Sequence, residues 1–237
     1  MPAVERSETG RCRPTFLTGA ARALVFDMDG VVLDTERLYW EAEGIMLARR
    51  GRVFTPELAA KIMGLPSDAA MRMLTAELDL PDDPATLGAE ASEEFLALLP
   101  TKLAFMPGFA DFLDALDRAG MPLGLATSTN RPLAEKMLRQ MNVLHRFRAV
   151  VTRDDVTSGK PHPEPFQRAC ELLGVPPAEA AAIEDSLNGV RSALAAGCRT
   201  FALRHQCNRM LTYPPEALEI EDFGDPRLRA AVGLTSE

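Results

Sequence analysis

Three successive patterns of apolar and polar positions divide the 237-residue chain. A short apolar run over residues 23–26 ends at Asp27, as is typical of a buried strand in a parallel sheet. Apolar residues then recur at helical spacing over residues 36–101, where no strand pattern occurs. From Pro107 onward, helical faces alternate with short apolar runs. These runs predict further strands at residues 123–126, 149–151, 181–183 and 199–203.

This order of elements predicts an α/β fold, namely a Rossmann-like, doubly wound parallel sheet with a helical cap inserted after the first strand. We expect an α/β core over residues 21–35 and 103–225 and a cap over residues 36–102. Residues 1–20 contain charged side chains and no apolar block, so we interpret them as a disordered leader rather than a signal peptide. The residues beyond Asp225 are expected to form a weakly ordered tail.

The charge of the chain narrows the classes of partner. Its formal net charge is −8 and its pI is about 5.1. Nucleic acids and anionic membranes bind basic surfaces, so neither is expected as a partner. Scattered cysteines without a CxxC motif indicate a reducing, cytoplasmic location. No apolar run is long enough to span a bilayer, and the cap has no coiled-coil seam, so we expect a monomer.

Polar residues that follow the predicted strands form one candidate site. Its members are Asp27, Asp29, Thr127, Ser128, Asn130, Lys160, Glu184 and Asp185. The carboxyl ends of parallel strands lie at one edge of a sheet, so these residues are expected to converge. Each of them alone has an ordinary structural explanation as a helix cap, a solvated lysine or a turn residue. A functional site is favoured because candidate residues from four separate loops are expected at the same edge of the sheet.

Three of these residues are predicted metal ligands. Asp27, Asp29 and Asp185 would repel one another in a small space unless a cation lay among them. Oxygen ligands with open coordination positions suit Mg²⁺, which also takes a phosphate oxygen from a substrate. We therefore predict Mg²⁺ as the cofactor and a small phosphorylated metabolite as the partner, with Glu184 supporting the ligands.

The remaining residues of the set suit phosphoryl transfer. The predicted phosphate-binding residues are Thr127, Ser128, Asn130 and Lys160. Hydroxyls and backbone N–H groups at a helix N-terminus bind phosphate, and a lysine adds a positive charge. Asp27 is the predicted nucleophile, which forms an aspartyl phosphate, and Asp29 is the predicted general acid and base. Thr127 and Lys160 are also predicted to be catalytic, because they stabilise charge on the transferring group.

Competing motifs fail on inspection. Gly159-Lys160 is followed by Pro161, and Asp154 stands where a P-loop has its first glycine. No G-x-G-x-x-G follows a strand, and no G-x-S-x-G is present. A zinc site is not predicted either, since no second ligand pair follows the only candidate group. That group is Cys198, His205 and Cys207.

Taken together, the chain resembles the haloacid dehalogenase-like (HAD) superfamily. The motifs that carry the resemblance are Asp27-Met28-Asp29-Gly30-Val31, Thr127-Ser128, Ser158-Gly159-Lys160-Pro161 and Glu184-Asp185-Ser186. The resemblance implies a Rossmann-like core with a helical cap. It also implies Mg²⁺ held by the Asp27 carboxylate, the main-chain carbonyl of Asp29, and Asp185.

Within the superfamily, the chain is similar to the group of β-phosphoglucomutase and pseudouridine-5′-phosphatase. Asp29 favours phosphoryl transfer over dehalogenation, since dehalogenases of the superfamily lack the second aspartate. The mutases carry a histidine and a cap arginine where this chain has Tyr39 and residues 64–68, which contain no arginine. We therefore expect hydrolysis of a sugar phosphate or a nucleoside monophosphate. A phosphosugar mutase is the alternative, and a non-catalytic binding protein on this scaffold is the third.

Four cap residues are predicted to contact the organic part of the substrate. They are Tyr39, Trp40, Leu65 and Ser67. The alternative for Trp40 and Leu65 is that they pack within the cap's own core. Closure of the cap is expected to exclude water from the site.

Overall fold

The computed structural model describes residues 19–62, 65 and 67–234. The predicted leader, residues 1–20, therefore lies outside the described residues except for its last two positions. Nothing in the described part of the chain tests whether that leader is disordered.

A six-stranded parallel sheet forms the centre of the molecule, in the order β3-β2-β1-β4-β5-β6. The strands are β1 (Ala23–Phe26), β2 (Leu123–Ala126), β3 (Ala149–Val151), β4 (Ala180–Glu184), β5 (Arg199–Leu203) and β6 (Leu218–Ile220). The predicted α/β fold class is confirmed. Phe26 lies opposite Leu125 and Ile183 in the register, so β1, β2 and β4 end at the same edge. Strand β6 has only three residues, and its pattern did not distinguish it from a loop.

Four helices form the insertion between β1 and the rest of the sheet. They are α1 (Glu36–Ala48), α2 (Pro56–Ile62), α3 (Ser67–Leu78) and α4 (Pro84–Lys102). The last of them begins at Pro84, because the Asp83 side chain accepts a hydrogen bond from the Thr86 N–H and Pro84 opens the helix. We call residues 36–102 the helical insertion.

Five further helices lie among the strands or after them. They are α5 (Phe109–Arg118), α6 (Arg131–Gln140), α7 (Glu164–Leu173), α8 (Leu187–Ala196) and α9 (Pro226–Ala231). The prediction of a weakly ordered tail beyond Asp225 is wrong for residues 226–234. Asp225 caps α9, and Leu228 and Val232 are buried in the main hydrophobic cluster. Burial of these apolar side chains stabilises the helix.

Apolar clusters cover both faces of the sheet and attach the insertion to it. The main cluster joins β1 to α5 and α6, and it includes Leu38 of α1 and Phe95 of α4. A second cluster lies under α7 and α8. A third belongs to the insertion alone and includes Met46 and Leu74. Because Leu38 packs with the sheet, the first turn of α1 is held beside the carboxyl ends of the strands.

Among the described residues, the structure has no helix that combines the length and the apolar character needed to cross a membrane.

Candidate active site

Asp27 and Lys160 form a buried ion pair at the end of β1. Lys160 Nζ lies 2.5 Å from Asp27 Oδ1 and 2.6 Å from Glu184 Oε1. The Phe166 ring centroid lies 5.3 Å from the same nitrogen. Lys160 comes from the loop after β3, so the parallel sheet brings together three predicted residues that lie far apart in sequence.

Three threonine hydroxyls hold the Asp29 carboxylate. The Thr35 hydroxyl donates to Oδ1 at 2.8 Å, and the Thr129 hydroxyl donates to Oδ2 at 2.8 Å. The Thr127 hydroxyl donates to Oδ2 at a longer distance of 3.3 Å. Donors on both oxygens restrict rotation of the carboxyl group, so Asp29 presents a fixed edge to the cavity beside Asp27.

Glu184 ties β4 to the start of α8. Its side chain is fully buried, and Oε2 accepts hydrogen bonds from the N–H groups of Asp185 and Ser186, each at 2.9 Å. The Ser186 hydroxyl in turn caps α8 by accepting from the Gly189 N–H. A side chain at Gly189 would collide with Glu184, since a Cβ there would stand 1.6 Å from Oε1. Glu184 therefore positions both Lys160 and the loop that carries Asp185.

Asp185 is held by the segment that follows β5. His205 Nε2 lies 2.8 Å from Asp185 Oδ2. His205 Nδ1 accepts from the Cys207 N–H, which assigns the ring proton to Nε2 and makes His205 the donor to Asp185. The backbone carbonyl of Asp185 accepts from Asn208 and from the Tyr213 hydroxyl. Both the side chain and the main chain of Asp185 are thus fixed.

Burial and mutual repulsion shift the pKa values of the site. Burial raises the pKa of Asp27 well above its ordinary value, and Lys160 opposes that rise while Glu184 and Asp185 add to it. Burial also raises the pKa of Asp185, and the Glu184 carboxylate raises it further. Burial alone would lower the pKa of Lys160, but the two carboxylates it contacts outweigh that effect and raise it. The site has an excess of negative charge that favours a bound cation.

Three buried carboxylates form a cluster that could hold a metal ion. Oxygen atoms of Asp27, Glu184 and Asp185 all lie within 4.8 Å of one another, and all three residues are buried. Glu184 already binds Lys160 and two backbone N–H groups, so Asp27 and Asp185 are the members with oxygen atoms facing the cavity. Hard oxygen donors beside an open cavity suit Mg²⁺. In the described part of the chain, the group Cys198, His205 and Cys207 forms no such cluster.

The predicted phosphate-binding residues take different positions. Ser128 and Lys160 line the cavity. The Thr127 hydroxyl donates to Asp29 and accepts from the Thr129 N–H at 3.0 Å. Asn130 caps α6 by accepting from the Leu133 N–H at 3.1 Å, which is the ordinary structural role of such a residue. Phosphate contact by each of them stays a prediction.

The four predicted specificity residues lie outside the lining of the cavity. Tyr39 stacks on Phe95 with ring centroids 4.2 Å apart, and Trp40 packs edge-on against Phe54. The contact of Trp40 with Phe54 agrees with the alternative that it packs within the insertion. Leu65 is 43% exposed, and Ser67 is exposed at the start of α3. Their contact with a substrate stays a prediction.

A cavity of about 280 Å³ lies over the site, and sequence reasoning missed part of its wall. Of the polar residues in that lining, Glu36, Asn188, His205 and Asn208 were missed. Thr35 and Thr129, which donate to Asp29 without lining the cavity, were missed as well. Thr129 directly follows Thr127-Ser128, and Thr35 follows the first motif closely, so both could have been included by proximity. Nothing local marks His205 or Asn208, because only the topology brings the segment after β5 to this edge.

Comparisons with known proteins agree with this geometry. Residues 24–203 match the family model described as haloacid dehalogenase-like hydrolase. A phosphorylated carbohydrates phosphatase of Thermotoga maritima is 34% identical over 187 residues, which are 78% of this chain and 87% of the relative. A Drosophila melanogaster protein described as "probable pseudouridine-5′-phosphatase" is 33% identical over 179 residues, which are 73% of this chain and 77% of that protein.

A solved structure shows the same architecture. A Thermotoga maritima protein described as "putative beta-phosphoglucomutase" superimposes with a TM-score of 0.72 at 29% identity. The match covers 89% of this chain and 96% of that one. These similarities extend over the sheet and the helical insertion alike.

Proposed function

This chain belongs to the haloacid dehalogenase-like hydrolases and is a phosphoric monoester hydrolase, and we propose that it uses Mg²⁺ and an aspartyl phosphate to act on a small phosphorylated metabolite. One observation carries the proposal. Asp27 and Asp29 from the loop after β1, Lys160 from the loop after β3 and Asp185 from the loop after β4 line one cavity at the edge of the sheet. A nucleophile, a second acid, an ammonium and a metal-binding carboxylate are together the groups that phosphoryl transfer through an enzyme-bound phosphate requires.

In the proposed reaction the Asp27 carboxylate attacks phosphorus in line with the leaving oxygen. Asp29 donates a proton to that oxygen, which leaves as an alcohol, and the phosphoryl group stays on Asp27. Asp29 then takes a proton from a water molecule, which attacks the aspartyl phosphate and releases inorganic phosphate. Lys160, beside Asp27, offsets negative charge on the transferring group.

The metal would be held by the carboxylates of Asp27 and Asp185 and by the main-chain carbonyl of Asp29, with Glu184 behind them. When bound, Mg²⁺ would neutralise phosphate charge and orient the phosphoryl group for attack. His205 and Glu184 would keep the two ligand-bearing loops in place without contacting the substrate's phosphorus.

We assign the substrate to phosphorylated sugars or nucleoside monophosphates. The named activity of the carbohydrate phosphatase relative and that of the pseudouridine-5′-phosphatase relative support these two classes. A cavity of about 280 Å³ suits a substrate of this size.

Hydrolysis of 4-nitrophenyl phosphate tests the proposal. We expect turnover that requires Mg²⁺ and stops when EDTA is added. Asp27→Asn should lower kcat by at least about 10⁴-fold, since the amide is a poor nucleophile. Asp111→Asn, an exposed change on α5, is the matched control. Full activity in Asp27→Asn, or activity indifferent to the chelator, would contradict the proposal.

The phosphosugar mutase alternative is separated by its product. With β-glucose 1-phosphate as substrate, a hydrolase releases glucose and inorganic phosphate, whereas a mutase forms glucose 6-phosphate. We expect free glucose, because Tyr39 occupies the place of the mutase histidine and stacks on Phe95.

A further inference from the structure

The wall of the cavity contains a single acidic side chain from the helical insertion, within the part of the chain that the structure describes. Glu36 is the first residue of α1, and it lines the cavity together with His205, Asn188 and Leu211. It is the only residue of the insertion in that lining, within the part of the chain that the structure describes. This carboxylate therefore forms part of the surface that a ligand in the cavity meets.

Glu36 differs from the other acids of the cavity in having no partner. Asp27 has Lys160, Asp29 has three hydroxyls, and Asp185 has its imidazole donor. The carboxylate of Glu36 makes no hydrogen bond and no ion pair with any described residue. Its charge is therefore directed at whatever enters the cavity.

The cavity also lacks a spare cation. Lys160 is the only lysine or arginine in its described lining, and it is already bound to two carboxylates. Of the three residues of the insertion outside the described range, Met63, Gly64 and Pro66, none is charged. The cationic side chains with ion-pair partners in the insertion are Arg37, Arg49, Arg50, Lys61, Arg72 and Lys102.

We propose that Glu36 selects phosphomonoesters whose organic part carries no negative charge. The inference rests on the proposed function and narrows its substrate class: neutral polyol and sugar monophosphates enter, whereas phosphorylated acids and bisphosphates are rejected. Rejection follows because a second anionic group would lie near an unpaired carboxylate with no cation to bind it. Hydroxyl groups of a neutral substrate can instead donate to the Glu36 oxygens.

Matched ligand pairs test this selection. Glycerol 3-phosphate and 3-phosphoglycerate have the same carbon skeleton and differ by one carboxylate; fructose 6-phosphate and fructose 1,6-bisphosphate differ by one phosphate. Each compound is assayed with Mg²⁺ as a substrate and as a competitive inhibitor of 4-nitrophenyl phosphate hydrolysis, so that binding is measured even where turnover is slow. The assays are run at pH 8, because burial and the Asp185 and Asp29 carboxylates raise the pKa of Glu36 to about 7.

We expect the unmodified protein to favour the neutral member of each pair by about tenfold or more in kcat/KM or in inhibition constant. In Glu36→Gln, which keeps the shape and removes the charge, that preference should fall several-fold. Glu93→Gln removes a charge from an exposed position on α4 and should leave the preference as it is.

The outcomes separate this inference from the proposed function. Equal or better use of the charged members by the unmodified protein overturns the inference alone, provided that 4-nitrophenyl phosphate is hydrolysed. An unaltered preference in Glu36→Gln overturns the assignment to Glu36. Absence of any Mg²⁺-dependent hydrolysis overturns the proposed function, and the inference with it.

Discussion

Acids shielded from solvent occur both at the sheet edge and on helix α1, and the two groups differ in their surroundings. At the sheet edge every carboxylate has a donor from another loop, such as the Lys160 ammonium, the threonine hydroxyls or the His205 imidazole. On α1, Glu36 and Glu43 have no hydrogen-bonding or ionic partner among the described residues. The sheet edge thus fixes its acids in one geometry, whereas α1 holds two acids without any polar partner.

This difference separates the reaction from the choice of substrate. Acids that must attack phosphorus or transfer a proton need a fixed orientation, which donors from several loops supply. An acid that only discriminates between ligands needs charge and position, and it acts more strongly when nothing local neutralises it. The core therefore carries the chemistry, and the first turn of the insertion carries the proposed selection.

After the loss already expected for Asp27→Asn, the largest effect is expected at Asp29. Asp29→Asn removes the proposed proton donor and acceptor, and kcat should fall by about 10²–10⁴-fold. The loss should be greater for glycerol 3-phosphate than for 4-nitrophenyl phosphate, because nitrophenolate leaves without protonation. Thr129→Val removes one of the three hydroxyl donors, and a smaller loss is expected. An equal loss on both substrates would show that Asp29 does not protonate the leaving group.

A second test compares two helical glycines, one in each region. Gly189→Ala places a methyl group on Glu184, so stability should fall by about 1–3 kcal/mol and kcat/KM should also fall. At Gly44 of α1 an added Cβ would meet no atom within 4 Å, so Gly44→Ala should raise stability by roughly 0.5–1 kcal/mol. Urea unfolding measures the stability of each variant, and hydrolysis of 4-nitrophenyl phosphate measures its activity. Unchanged activity in Gly189→Ala would mean that the position of Glu184 is unimportant.

The same contrast explains which parts could be predicted from sequence. The ends of β1, β2 and β4 were predictable because an apolar run stops at a polar motif, and parallel topology then places Asp27, Thr127 and Asp185 together. These contacts depend only on fold class. The donor to Asp185 was not predictable, because His205 reaches it through a segment of irregular backbone after β5.

The part of α1 that lines the cavity was harder to predict than the strand ends. Aromatic residues on α1 suggested substrate contact, but Tyr39 and Trp40 face other rings of the insertion, while Glu36 on the same helix lines the cavity. Helical periodicity predicts which residues share a face of a helix, but it does not predict how the helix is rotated relative to the sheet. For α9, by contrast, the signal was present: Asp225-Pro226 is a cap followed by proline at the first helical position.

The smallest effect on activity is expected at Glu43, where the test concerns the stability of the fold alone and checks the unpaired state of this side chain. Burial raises the pKa of Glu43 from 4.5 to about 8, with a further contribution from Glu36. Between these two pH values the unfolded chain binds fewer protons than the folded protein, so the free energy of unfolding should fall as pH rises and level off above pH 8. Glu43→Gln removes this dependence, and the variant should gain roughly 3 kcal/mol over the unmodified protein between pH 5 and pH 8.

Denaturant unfolding at pH 5 and pH 8 measures that gain, with Glu93→Gln on the exposed side of α4 as the control. A Glu43→Gln variant whose stability relative to the unmodified protein is the same at both pH values would mean that Glu43 is ionised in the folded state. It would then need a partner like those at the sheet edge, and the contrast between the two regions would fail. The Glu43→Gln variant is expected to gain stability only at the higher pH and to keep the preference for neutral phosphomonoesters. That result would show that Glu43 affects stability, whereas Glu36 affects the choice of substrate.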